Sequence, residues 1–375
     1  MKIFIIYFLI LKLLLTSNIL FADYLRGYKE FEKENYQLAF QYWLESANQN
    51  DSLSQFYLAL LYKNGLGVKQ DYIKAFELFE KVSEHGLVEG YYNLGLLYYN
   101  GLGVEKNFSK ALIAFDKAKI KFFESYYYLG VIHSQPDEVY TDFIKAEKFF
   151  QLASDNKIHS ANCSLGIIYL KGLGVPQNFS ESYKYFNRGA KNNISDCQNG
   201  LGWLYENGIG VSKDKNEAIR WYKLAADQNH KQAQFNLGLF FLKDETMNDN
   251  YQSAIKWLSL AAKQGVSEAQ YNLGTIYFDG LGVVQNFKKA FDNYLMSAEN
   301  GFVMSQHKLS IMFLNGWGIE KDKIKAFMWV NIAASLNHEK SIEHRDEFLQ
   351  SLSSKEIERG QDLSLACFEK MLKNC

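Results

Sequence analysis

Apolar residues recur along most of the chain at the three- and four-residue spacing that places them on one face of an α-helix. In one segment this spacing occurs first at Ala269, Leu273 and Ile276 and then again at Ala290 and Tyr294. A glycine-containing stretch separates the two parts, and glycine there can adopt the left-handed conformation that ends a helix. The pattern therefore predicts a helix, a turn and a second helix.

A short glycine phrase marks this turn and recurs along the chain. Its first glycine is found at Gly65, Gly101, Gly172, Gly208, Gly280 and Gly316. The successive gaps are 36, 71, 36, 72 and 36 residues, so two of them are double periods. A fixed period in this range is typical of a solenoid, in which each unit buries its apolar face against its neighbours. We therefore predict one array of helix pairs rather than two or three independent domains.

Two small residues keep the register of the repeat where the glycine phrase is lost. One follows a repeated leucine and the other lies 16 residues later, as in Gly274 and Ala290. The diverged turns at residues 132–139 and 243–249 preserve this spacing, so they replace the phrase without shortening the repeat. We predict eight full repeats over residues 53–338, whose small residues let the paired helices approach closely.

Both ends of the array depart from this pattern. Near the N-terminus the two small residues are 12 residues apart instead of 16, which predicts a helix pair with a shorter turn that caps the array over residues 23–52. Residues 339–375 are predicted to form C-terminal capping helices. Ser353 and Glu356 have the spacing of a capping box that begins a last helix reaching about Leu372.

These features resemble the Sel1-like repeat, a relative of the tetratricopeptide repeat. The series of small residues, Leu-Gly, Gly-x-Gly-Val and Ala-Ala is nearly complete in residues 233–265 and 269–301, and residues 217–226 contain the Trp-Tyr and Ala-Ala part. The resemblance implies an all-α fold, a right-handed α/α superhelical solenoid of tetratricopeptide-like helix pairs. It also implies that the first helix of each pair lines a concave face. The N-terminal pair resembles a true tetratricopeptide unit.

Residues 1–22 differ from the rest and have the pattern of a secretory signal peptide. Lys2 precedes an apolar run, and the small residue Ala22 stands directly before Asp23. Cleavage after Ala22 would export the remaining chain to the periplasm or out of the cell. An uncleaved membrane anchor is the alternative, which the short apolar run and its interruption by Lys12 disfavour.

Charge and motifs narrow the function further. The formal net charge is −1 without a basic block, which disfavours nucleic-acid binding. The histidines have no metal-ligand spacing, and the Gly-x-Gly phrases follow helices rather than strands, unlike a nucleotide-binding loop. We therefore expect a protein that is not an enzyme and that has no cofactor, metal, nucleic-acid partner or small-molecule substrate. We expect a monomer.

The four cysteines follow neither the repeat nor a Cys-x-x-Cys pattern. They are Cys163, Cys197, Cys367 and Cys375. Buried free thiols are the expectation from this irregular spacing, although an exported protein can pair its cysteines.

The variable positions around the repeated leucine are the candidate partner-binding residues. They lie two residues before it, two after it and five after it, on the helices that line the concave face in the related fold. We call the following eight residues the aromatic strip: Phe56, Tyr92, Tyr99, Tyr127, Trp203, Phe235, Tyr271 and Phe278. Aromatic anchors dominate many interfaces, so the strip suits an extended peptide or a partner helix. Packing of these rings between adjacent repeats is the alternative interpretation.

A second hypothesis concerns Asn93, Asn236 and Asn272, which directly precede the repeated leucine. Asparagines at this position in some tetratricopeptide domains bind the terminal carboxylate of a partner. Apart from Lys231 and Lys243, basic companions are not evident in the sequence. A structural asparagine that hydrogen-bonds to the backbone is therefore favoured.

We expect an exported, non-enzymatic interaction scaffold that binds a partner peptide or helix in a concave groove. The resemblance to exported Sel1-repeat proteins of intracellular bacterial pathogens implies a host protein as partner and a role in host-cell entry or vacuole trafficking. A cell-envelope adaptor or peptidoglycan-associated factor is the main alternative. The β-lactam hydrolysis proposed for cysteine-rich relatives is disfavoured, because their regular cysteine pairs are missing. An adaptor in a eukaryotic lumen also remains open.

Overall fold

A computed structural model describes residues 22–136, 139–243, 250–373 and 375. Its described residues form helices and turns without a strand, which confirms the predicted all-α solenoid. The predicted signal peptide and most of the diverged turn at residues 243–249 lie outside the described residues. The fold divides into two compact units, one ending at Tyr185 and the other beginning at Phe186.

The first unit contains the capping pair and the first repeats. Its helices are α1 (22–32), α2 (Tyr36–Asn48), α3 (Ser52–Asn64), α4 (Tyr72–Glu84), α5 (Val88–Asn100), α6 (Phe108–Ala118), α7 (Glu124–His133), α8 (Phe143–Asp155) and α9 (Ala161–Lys171). Successive helices from α2 to α9 pack against each other. The division between the units falls within α10 (Phe179–Lys191).

The second unit contains the later repeats and the C-terminal helices. Its helices are α11 (Ser195–Asn207), α12 (Lys215–Asp227), α13 (Lys231–Lys243), α14 (Asn250–Lys263), α15 (Ser267–Asp279), α16 (Phe287–Glu299), α17 (Val303–Asn315), α18 (Lys323–Ser335), α19 (Glu339–Ser351) and α20 (Ser354–Glu369). Successive helices from α11 to α19 pack against each other, and α20 packs back on α18. Across the described residues of both units, no helix is long and apolar enough to cross a membrane.

The glycine phrase ends the first helix of a repeat, as the sequence predicts. Gly65 and Gly280 cap α3 and α15 with φ of 69° and 72°, the left-handed conformation that side chains disfavour. The second glycine of the phrase has another role. A Cβ on Gly103 would lie 2.2 Å from the carbonyl oxygen of Tyr72, at the start of α4 in the preceding repeat. The phrase is therefore an inter-repeat contact as well as a turn.

The same close approach recurs in both units. A Cβ on Gly67 would lie 2.4 Å from the carbonyl carbon of Tyr36, and one on Gly318 would lie 2.2 Å from the carbonyl oxygen of Phe287. Each glycine is 31 residues beyond the residue it meets. Because the opposing atoms are backbone, they cannot move aside without shifting a helix.

The second helix of most repeats begins at an aspartate or asparagine whose side chain accepts hydrogen bonds from the first helical turn. These N-cap residues are Asp71, Asn107, Asp142, Asp214, Asn286 and Asp322. Their backbone N–H groups also bond to the end of the first helix, as from Asp322 to the carbonyl of Phe313 at 2.9 Å. One residue thus satisfies the exposed amides of one helix and a carbonyl of the other.

Small residues bring the two helices of a pair together, as predicted. A Cβ on Gly274 would lie 2.7 Å from the ring of Tyr294, and one on Gly95 would lie 2.7 Å from the ring of Phe115. Both rings are fully buried, and so is Ala290. A tyrosine or phenylalanine from the second helix therefore fills the space that the glycine leaves.

Buried glutamines link adjacent repeats in the second unit. The side-chain amide of Gln228 donates to the oxygen of Gln198 at 2.7 Å, and that of Gln264 donates to Gln234 at 2.8 Å. Asn300 donates to Gln270 at 3.1 Å. Each donor lies 30 residues after its acceptor. We call this arrangement the glutamine ladder.

The C-terminal helices combine an in-register element with a capping element. Helix α19 begins 36 residues after α17 and has the same length, so it occupies the place of a further first helix. Ser353 and Glu356 form the predicted capping box at the start of α20. That helix ends at Glu369, three residues before the predicted Leu372, because Met371 and Leu372 have positive φ.

The expectation of free cysteines is wrong. Cys367 and Cys375 form a disulfide that ties the C-terminal residue to α20. Cys163 and Cys197 are buried as expected, but each is also disulfide-bonded. The sequence reasoning missed this because the cysteine positions do not follow the repeat.

Candidate partner-binding strip

The aromatic strip lies on the first helices of the pairs. Trp203 is exposed, at 38% of its full surface, whereas the other seven residues are half-buried. A half-buried ring presents one edge to solvent and packs with the other. The strip therefore contributes both to the surface and to the packing between helices.

In the first unit, the strip residues pack on rings of the same or the next repeat. Tyr92 on α5 stacks on Phe122 at 4.8 Å between ring centres, beyond the end of α6. Tyr99, at the end of α5, lies 5.6 Å from Tyr128 on α7. Burial raises the pKa of Tyr92 to about 12, so its phenol stays neutral at physiological pH.

The other two strip residues of this unit contact the second helix of their own pair. Phe56 lies 6.0 Å from Phe79 on α4, and Tyr127 lies 5.8 Å from Phe150 on α8. Both partner rings are fully or almost fully buried. The strip in this unit is thus the outer layer of the core.

In the second unit, Tyr271 and Phe278 repeat the arrangement of Tyr92 and Tyr99. Tyr271 lies 5.4 Å from Phe302, in the turn before α17. Phe278 lies 5.3 Å from Trp317, in the turn after α17.

The remaining two strip residues differ in burial. Phe235 packs beside the core cluster around Leu258, whereas Trp203 has the most exposed ring of the strip. Both interpretations drawn from the sequence therefore have a structural basis, and Trp203 is the residue best placed to contact a partner.

The three asparagines before the repeated leucine are held within the protein. Asn93 and Asn272 donate to backbone carbonyls one turn earlier, at 3.0 and 2.7 Å. Asn236 donates to the side chain of Asn199. Asn93 also accepts a bond of 2.9 Å from the amine of Lys63, a basic companion that the sequence did not reveal. Burial lowers the pKa of Lys63.

The structure also brings together three histidines that the sequence analysis treated separately. His307 is buried on α17, and its ring centre lies 4.9 Å from that of His344 and 5.1 Å from that of His338. The Nδ1 atoms of His307 and His338 lie 2.9 and 2.7 Å from the hydroxyl oxygen of Ser341. We call these four residues the histidine cluster.

The cluster could have been found by extending the 36-residue register beyond position 338. Ser341 then aligns with Ser305, and α19 aligns with α17. The family pattern gives no such signal, because it contains no histidine. Within the described ranges, no group of histidine, cysteine, aspartate or glutamate side chains has the geometry to hold a metal ion.

Helix pairs stacked at a fixed period, without a catalytic constellation among their described side chains, define a helical-repeat protein of the solenoid class. The Sel1 repeat model matches residues 22–51, 52–87, 88–118, 123–157, 159–194, 195–230, 231–266, 267–302 and 303–338. The chain belongs to the Sel1 repeat family. The first match covers the segment for which the sequence predicts a tetratricopeptide-like cap, and its capping role stays a prediction.

Solved structures support the same fold. A Sel1 repeat protein from Oxalobacter formigenes is 26% identical and has a TM-score of 0.65 over 84% of this chain and 90% of its own. A protective antigen of uropathogenic Escherichia coli strains that displays an SLR fold is 23% identical, with a TM-score of 0.54 over 95% and 85%. A comparison with curated proteins gave no match.

Sel1-repeat proteins generally act as scaffolds for protein–protein interaction, and their solenoid fold is typically non-enzymatic. The family therefore shifts attention from catalysis to the surface that a partner would contact.

Proposed function

We propose that this chain is an exported, non-enzymatic scaffold that uses the aromatic strip to bind an extended peptide or a helix of a partner protein. The proposal rests on one observation: register-equivalent positions on the first helices leave aromatic rings partly exposed. Such rings offer large apolar area at a low entropy cost, which suits them as binding anchors. The general role of the family in protein interaction supports the proposal.

Export is part of the same proposal. The signal-peptide pattern supports it, and so does the disulfide-bonded state of all four cysteines, because disulfides persist in oxidising compartments. N-terminal sequencing of protein recovered outside the cytoplasm should find Asp23 as the first residue. Recovery of the intact N-terminus in the membrane fraction would instead indicate an anchor.

A host protein is the proposed class of partner, on the basis of the resemblance to exported Sel1-repeat proteins of intracellular pathogens. Immobilised protein should retain a host-lysate component that bacterial envelope fractions lack. Retention of murein or of envelope proteins alone would replace this proposal with the envelope role.

Trp203 provides the sharpest test of the strip. Replacing an interface anchor with alanine costs at least about 1–2 kcal/mol, so Trp203→Ala should weaken partner retention roughly tenfold. Leu224→Ala is the matched control, since Leu224 is 40% exposed but lies on α12, a second helix. Both variants should keep the helical circular dichroism of the parent. Equal retention by the parent and Trp203→Ala would exclude Trp203 as an anchor.

A further inference from the structure

The histidine cluster joins the last matched repeat to the C-terminal part of the fold. His307 belongs to α17, whereas His338 is the N-cap residue of α19 and His344 lies within α19. Ser341, on the same helix, is fully buried. The hydrogen bonds at Ser341 and the stacked rings therefore connect α17 to α19 through groups that titrate.

The hydrogen bonds at Ser341 fit neutral imidazoles. A hydroxyl has one hydrogen, so it can donate to one Nδ1 while it accepts from the other. When both rings are protonated, both Nδ1 atoms carry hydrogens and neither can accept from the serine. Because Ser341 is buried, its hydroxyl cannot turn to water instead. Acid therefore removes a hydrogen bond from the junction.

The charges around His307 also disfavour its protonated form. Burial has the largest effect, followed by His344, His338, Lys308 and Lys340, and together they lower the pKa of His307 from 6.5 to about 4. All four neighbours are basic. The stacked ring of His344 is the closest of the cluster, so two positive charges would face each other at about 5 Å.

The other charged groups on the packed helices lie further out. On α19 the carboxylates of Glu339, Glu343, Asp346 and Glu347 are exposed. Helix α16 carries Lys288, Lys289, Asp292 and the half-buried Glu299, and α18 carries Lys323 and Lys325 at its start, away from the turn into α19.

We propose that the histidine cluster is a pH-operated latch, which holds α19 against the last repeat when its rings are neutral and releases α19 when they become charged. The latch does not depend on the proposed partner or on export. It would give the protein a C-terminal end that opens in an acidic compartment and closes again at neutral pH.

The direction follows from proton linkage. The closed state binds fewer protons than the open one between pH 6.5 and about 4, so closure weakens as the pH falls through this range and levels off below it. A drop from pH 7.5 to 4.5 should favour opening by roughly two orders of magnitude.

Hydrogen–deuterium exchange on the purified protein, with a chelator present, tests the latch. After correction for intrinsic exchange rates, amides of α19 should exchange at least tenfold faster at pH 4.5 than at pH 7.5, while those of α15 stay constant. Equal acceleration in α15 would mean general acid unfolding and would overturn the proposal. No acceleration in α19 would overturn it as well.

Variants assign the effect to the cluster. His307→Asn introduces the residue found at the same register in Asn199, and it should abolish most of the pH response of α19. If that variant does not fold, His344→Gln should reduce the response, because it removes one neighbouring charge. The control His85→Gln changes an exposed histidine of the first unit and should respond like the parent. A full response in the cluster variants would refute the latch.

Discussion

Gly103 shows, at the residue scale, how much a missing side chain contributes to the stack. Its neighbour is the backbone of Tyr72, at the first residue of α4, and not the flexible end of a side chain. A helix start cannot retreat by an ångström without disturbing the hydrogen bonds that begin it. The contact therefore sets the distance between two repeats.

Gly103→Ala should be much more costly than Gly86→Ala. Both glycines have positive φ, 69° and 83°, so both substitutions carry the same conformational penalty of about 1 kcal/mol. A Cβ on Gly86 would meet nothing within 4 Å, whereas one on Gly103 would clash. We expect an additional loss of about 2 kcal/mol for Gly103→Ala in urea unfolding. Equal losses would show that the turn conformation alone requires the glycine.

The glutamine ladder stops where its donor is missing. Gln306 is buried, and its side-chain oxygen has no partner among the described residues. The position 30 residues later is Leu336, which is 47% exposed. Leu336 caps α18 with nearly the same backbone angles as Gln228 and Asn300 at the ends of α12 and α16.

Leu336→Gln should therefore extend the ladder and stabilise the protein. A satisfied buried oxygen contributes about 1 kcal/mol, which corresponds to a rise of roughly 2 °C in the melting temperature. Leu336→Glu is the matched control, since it has the same shape but no N–H to donate. A similar gain from both variants would attribute the effect to the lost surface leucine.

At the scale of the helix, the recurring N-cap explains why the second helices begin where they do. Asp322 accepts bonds from the amides of Ile324 and Lys325, both at 2.9 Å. The cap stands four residues after the second glycine in every intact phrase. That spacing was available in the sequence, and reading it would have fixed these helix starts to the residue.

Asp322→Ala should destabilise the second unit by about 1–2 kcal/mol, because two backbone amides of α18 would lose their acceptor. Asp322→Asn should be nearly neutral, since asparagine caps α6 and α16 in the same way. Thermal melts followed by circular dichroism compare the two. If alanine and asparagine behave alike, the cap contributes little beyond the tertiary packing.

For the whole molecule, the sequence predicts what depends on local spacing. The helix pairs, the glycine caps and the capping box at Ser353 need only the order of residues within about ten positions. The repeat register then places each pair beside the next. This is why an array of this kind can be derived without knowing its function.

Contacts between variable residues of different repeats could not be derived in this way. Phe122 and Trp317 pack on strip residues from turns that the repeat pattern leaves undefined. Whether a ring such as Tyr92 is surface or core depends on these neighbours. The disulfides and the histidine cluster escaped for the same reason, since each joins residues outside the repeated positions.

The second-glycine contact has a consequence for how such a gene can change in length. One residue added within α4 would rotate everything beyond it by about 100° and move the start of the helix off its glycine. Insertion or loss of a complete 36-residue block would instead present every glycine with an equivalent helix start. Arrays of this kind should therefore grow and shrink by whole repeats, with single-residue insertions and deletions confined to diverged turns such as residues 132–139.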